Sequence, residues 1–166
     1  MKLTKSSVVR ACGAAAALFL FGCGSSSITG DPAANFAGSW TFASGSIQPM
    51  CNIAGIPAVD LTGDTMTVTR VDPTHVSTTL TGTDVMCNVN FTVTGTTATA
   101  VSGQTCVVTV SSVAVTVDIS AWTLTVSGDM LSMAMNGTAT AAGILSCTPT
   151  ANGMATRASD DGGTGG

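Results

Sequence analysis

Val85-Met86-Cys87-Asn88-Val89-Asn90-Phe91-Thr92-Val93-Thr94-Gly95-Thr96 sets the fold class. Val85, Cys87, Val89, Phe91 and Val93 fall on one face of an extended chain, and Met86, Asn88, Asn90 and Thr92 on the other. A period of two means a strand with one face on a core and one in water. Thr94-Gly95-Thr96 then reads as a turn, because glycine supplies a backbone conformation that other residues resist. Downstream, Val113, Val115, Val117 and Ile119 oppose Ala114, Thr116 and Asp118, and Trp122, Leu124 and Val126 oppose Thr123 and Thr125. Further turn signals stand at Thr62-Gly63-Asp64, Asp72-Pro73-Thr74, Thr81-Gly82-Thr83-Asp84, Ser102-Gly103-Gln104, Ser127-Gly128-Asp129 and Asn136-Gly137.

The run 106–119 is long for one strand. Val108 and Val110 are out of phase with Val113 and Val115, so a bulge, bend or turn is expected at Ser111-Ser112. Residues 45–60, with Pro49, Cys51 and Pro57, read as a long irregular loop. The last strand is expected to include Ser146–Pro149 or Met154–Arg157, and no segment has a helical period. Short strands joined by short loops give an all-β, antiparallel up-and-down meander of about eight or nine strands. A closed barrel is favoured because closure removes open edges; a β-sandwich is the alternative.

Lys2, Lys5 and Arg10 precede an apolar run, Ala11 to Gly22, that is too short to span a bilayer and fits a secretory signal. Leu20-Phe21-Gly22-Cys23 resembles the lipobox of bacterial lipoproteins, with Phe21 where the family usually has a small residue. The resemblance implies cleavage after residue 22 and a diacylglyceryl group plus an N-acyl chain on Cys23, enough for stable membrane anchoring. Gly24, where members kept at the inner membrane tend to carry Asp, implies the outer membrane, on its periplasmic or surface face. Residues 23–35 then form a flexible tether, 36–158 the all-β domain, and 159–166 a polar, Gly-rich disordered tail.

Without residues 1–22, Arg70 and Arg157 are the only strong cations, and all nine acidic groups are Asp, for a net charge of −7. No basic patch remains for a phosphate backbone, which excludes nucleic acid as a partner. Cys51, Cys87, Cys106 and Cys147 are left once Cys12 departs and Cys23 is acylated, and they read as two disulfides in an oxidising compartment. Four cysteines allow three connectivities. A hairpin at Gly95 brings Cys87 level with residues 103–105, beside Cys106. Cys51–Cys147 would then tie the loop after the first strand to the last strand, since the first and last strands are neighbours in a closed meander. A loop of about 20 residues closed this way stabilises by roughly 3 kcal/mol.

Phe36-Ala37-Gly38-Ser39-Trp40, at the first strand, resembles the G-x-W signature of lipocalin-type barrels. In that family the Trp closes one end of the barrel under an Arg from near the last strand. Arg157 stands at the matching place in sequence, and the resemblance implies a cation–π pair between Trp40 and Arg157.

Catalytic groups are scarce. His75, the single histidine, sits in Asp72-Pro73-Thr74-His75, read as an exposed turn rather than an acid–base pair. Asp60 and Asp64 lack the spacing of a calcium loop, and no metal, cofactor or enzymatic role is expected. Met130, Leu131, Met133 and Met135 could fill a core or line an apolar pocket. Two functions follow. One is a structural or interaction lipoprotein that meets an envelope protein through its Thr-rich outer faces. The other is a carrier for a small apolar ligand or lipid. A solidly packed interior argues for the first, and a cavity of some 300 Å³ for the second.

Overall fold

The computed structural model describes residues 30–52, 55–81, 85–110, 113–141 and 145–158. The signal segment, Cys23 and the tail 159–166 lie outside them, as do Ser111 and Ser112.

The chain forms a closed, eight-stave antiparallel barrel. Its strands are β1 Gly38–Cys51, β2 Val59–Asp60, β3 Thr65–Asp72, β4 His75–Thr81, β5 Val85–Thr94, β6 Thr97–Ala100, β7 Thr105–Val110, β8 Val113–Ser127, β9 Met130–Ala141 and β10 Leu145–Arg157. Each stave pairs with the next in chain order, and β10 returns to β1 from Trp40↔Arg157 to Cys51↔Cys147. β2 is a short addition on β1. β6 and β7 lie end to end on one stave, both antiparallel to β5 and β8.

Three sequence expectations need correction. The stretch 45–60 is not irregular throughout: β1 runs on to Cys51, and its second half pairs with β10. Pro49, which has no N–H to give the ladder, stands opposite Pro149, which has none either. Ser102-Gly103-Gln104 does not reverse the chain; it is an excursion between β6 and β7, which continue in one direction. Asn136-Gly137 is not a turn but the middle of β9, paired with Ala121 and Ile119 of β8. The long run 106–119 does divide. β7 and β8 pair as a hairpin from Val110↔Val113, and β8 then continues to Ser127.

One-residue bulges on β1 and β8 reset which residues face the lumen. On β1 the pairing with β10 shifts between Phe42 and Ser44, so the inward phase passes from Trp40 and Phe42 to Ile47 and Cys51. On β8 the pairing with β9 shifts between Ile119 and Ala121, so the inward phase passes from Val115, Val117 and Ile119 to Trp122, Leu124 and Val126. Such bulges bend and coil strands, which lets a sheet close on itself.

The ordered domain begins before residue 36. Pro32–Asn35 is a turn of 3-10 helix capped by Asp31, whose carboxylate also pairs with Arg70 at 2.7 Å. Ala33 is buried and its N–H donates to the Pro73 carbonyl. The last residues of the expected tether therefore pack against one end of the barrel.

Candidate functional site

The barrel interior is graded along its axis. At the end where the chain enters, Phe36, Trp40, Phe42, Phe91, Met66, Leu124 and Leu131 are buried and fill the lumen. Toward the other end the inward residues become slender. β10 contributes Cys147, Pro149 and Ala151, and β9 contributes Gly137 and Ala139. Slender side chains on these two neighbouring staves do not reach the opposite wall, and a space is left.

The aromatic end is shut by Arg157. Its guanidinium lies 4.3 Å from the centre of the Trp40 ring. Nη1 donates to the Ala37 carbonyl and Nη2 to the Asn35 carbonyl at 2.7 Å, while Asp129 stands 3.6 Å from Nε. Trp40 is fixed in turn, because its Nε1 donates to the Phe36 carbonyl at 2.8 Å. The polar atoms of this plug are thus satisfied by the backbone of the entering chain.

The other end holds the candidate site: an apolar cavity of about 140 Å³. Among the described residues the lining side chains are aliphatic, sulfur-bearing or aromatic; they include Ile47, Pro49, Leu80, Val117, Met133, Met135 and Trp122. Both cystines line it as well. Cys51 is bonded to Cys147, directly opposite it on β10, and Cys87 is bonded to Cys106. The second pair depends on the excursion at Val101–Gln104. Before it, Phe91 faces Ala100; after it, Met86 faces Val107, two residues further on than an unbroken ladder would give. That slip brings Cys106 opposite Cys87. Gln104 holds the excursion in place: its Oε1 accepts from Asn90 N at 2.7 Å, and its Nε2 donates to Asn90 O and Val101 O, each at 2.8 Å. The side-chain amide stands in for the missing peptide group of the stave.

Ile56, Pro57, Val59 and Leu61, from the connection after β1, border the cavity mouth. Among the described residues no charged side chain lines it; Asp60, between Val59 and Leu61, and Asp118, next to Val117, are exposed. β1, β5, β7 and β9 carry no charged residue, and β10 carries only Arg157, at the shut end.

The structure divides the methionine cluster. Met133 and Met135 line the cavity, Leu131 is buried deeper, and Met130 is exposed at the β8–β9 turn. His75 and Asp72 form a local surface turn, with Nδ1 within 2.8 Å of Asp72 Oδ2. Thr74 Oγ1 lies 3.2 Å from that same nitrogen, so it is no nucleophile placed across the ring. The Thr74 N–H, together with His75, holds the Asp72 carboxyl down at about 2. Asp60 accepts from the N–H and hydroxyl of Thr62, which lowers its pKa in the same way. Among the described residues, no three His, Cys, Asp or Glu side chains converge.

Sequence reasoning missed two features: Gln104 as a wall element and Trp122 as a cavity residue. A glutamine in a turn carries no signal of backbone mimicry. Trp122 could have been placed only with the bulge before it known. Comparison with family models, curated proteins and solved structures finds no match to this chain.

Proposed function

We propose that this chain is a lipid-anchored protein of the bacterial envelope whose barrel binds a small apolar molecule. One observation carries the binding reading: a wholly apolar space of about 140 Å³ between the two disulfides. It is smaller than the pockets of drug-sized ligands, which run from roughly 300 Å³. It compares with engineered apolar cavities of about 150 Å³, which stay dry and take up benzene. The ligand class is therefore a compact molecule of about six to eight heavy atoms rather than a long-chain lipid. The anchor rests on the basic start, the apolar run and Gly22-Cys23.

A structural or interaction role is the second reading. It is favoured by outer faces rich in uncharged polar residues, such as Thr116, Thr138, Thr140, Ser146 and Thr148. Native mass spectrometry of residues 24–166, purified from an oxidising compartment, separates the two. A co-purifying apolar mass lost on denaturation, or saturable uptake of added benzene, supports the carrier. A bare mass four protons light that takes up no benzene overturns it and leaves the structural role.

A further inference from the structure

We infer that the cavity is built for a neutral ligand with a single hydrogen-bond acceptor, such as a small ketone, ester or ether, and that Trp122 Nε1–H is its donor. The inference rests on the binding reading above and specifies the ligand's chemistry.

The two tryptophans differ in one respect. The Trp40 indole N–H is satisfied by the Phe36 carbonyl. Trp122 is 2% exposed, lines the cavity, and its Nε1 has no hydrogen-bond partner. Buried donors are nearly always paired, and leaving one unpaired costs about 1–3 kcal/mol. The Phe91 ring, edge-to-face with Trp122 at 5.5 Å, is only a weak acceptor. Among the lining side chains, the sulfurs of Met133, Met135 and the cystines are the sole other heteroatoms, and they too accept weakly. The bulge on β8 turns this indole inward: without the shift between Ile119 and Ala121, Trp122 would fall on the outer face.

The same inventory excludes other ligands. Among the described residues the lining side chains offer no strong acceptor, so an alcohol, amine or acid would bury a donor without a side-chain partner. It offers no cation either, and both described arginines sit at the shut end, bound to Asp31 and to the Trp40 plug. A carboxylate would enter unpaired, at a desolvation cost of several kcal/mol. What remains is an apolar body with one acceptor and no donor.

Cyclohexanone and methylcyclohexane have nearly the same shape and differ in the acceptor; cyclohexanol adds a donor. Their affinities would be measured by calorimetry on the exported, oxidised protein and on Trp122→Phe. The indole N–H resonances of Trp40 and Trp122 would be followed by NMR in the wild type. The expected result is that Trp122→Phe lowers the ketone-to-hydrocarbon affinity ratio about threefold to tenfold. In the wild type the ketone moves the Trp122 indole resonance downfield while the hydrocarbon does not, and cyclohexanol binds more weakly than the ketone. If the hydrocarbon binds but the ratio and the indole resonance stay unchanged, this inference is overturned and the binding reading stands. If none of the three binds, both fall. Should Trp122→Phe fail to fold, the wild-type indole resonance decides alone.

Discussion

Arg157 shows how much one side chain can hold at a terminus. Its guanidinium covers Trp40 and donates to two carbonyls of the entering chain, so it ties the last strand to the first turn. Hydrogen bonds from a charged donor contribute about 1.5–3 kcal/mol and a cation–π contact about 0.5–1 kcal/mol. Arg157→Ala is expected to lower stability by about 2–4 kcal/mol in urea denaturation. Arg157→Lys should recover less than half of that, because an ammonium cannot reach both carbonyls in the fixed fork of a guanidinium. At this scale the pairing was legible, since Gly38-Ser39-Trp40 and an Arg near the last strand resemble a known arrangement. The two carbonyls that Arg157 caps were not, because they belong to a stretch with no strand signal, Asn35 to Ala37.

At the scale of strands, the period of two was legible wherever it ran unbroken, as in Val85–Thr94. It failed where a single residue was inserted. Asn-Gly is among the strongest hairpin signals, yet Gly137 is glycine for a different reason. A Cβ there would stand 2.7 Å from the Asp118 carbonyl oxygen and 3.1 Å from Val117, where β8 bulges toward β9. Gly45, beside the other bulge, is similar: a Cβ would stand 2.7 Å from Asn152 O, and its φ of +152° also disfavours a side chain. Close approach and turn formation both demand glycine, and a sequence does not say which. The two causes separate by mutation. Gly137→Ala is expected to cost about 1–3 kcal/mol, measured by chemical denaturation, because backbone must shift. Asn136→Ala, at an exposed strand position, should change stability by less than about 0.5 kcal/mol, whereas a true Asn-Gly turn would suffer from both.

For the molecule as a whole, closure and the cavity are linked through the cystines. Cys51–Cys147 spans 96 residues and fastens the first stave to the last; Cys87–Cys106 spans 19 and fastens neighbours. The loss of unfolded-chain entropy grows with the loop enclosed, to about 4.5 kcal/mol for the first and about 3 kcal/mol for the second. The Cys51→Ala/Cys147→Ala pair should therefore lower the urea midpoint more than Cys87→Ala/Cys106→Ala. Equal losses would mean that the disulfides act through native packing around the cavity rather than through closure. The barrel itself could be read from strand count and short loops. The grading of its interior could not, because it depends on which slender residues fall side by side on the inner face once the bulges have set the phase.

Residues 31–37 enter at the aromatic pole, where Arg157 bonds to Asn35 and Ala37 and Asp31 to Arg70. Eight residues separate Cys23 from Asp31, a reach of at most about 29 Å. A 14-residue strand such as β1 rises roughly 46 Å, or about 35 Å along an axis from which it tilts by some 40°. The leash is thus shorter than the barrel is tall. Under the proposed lipid anchor on Cys23, the molecule would stand on its plugged end like a bottle held by its base. Its opening would then turn to the aqueous side, and cargo would be exchanged with that side and not with the bilayer beneath.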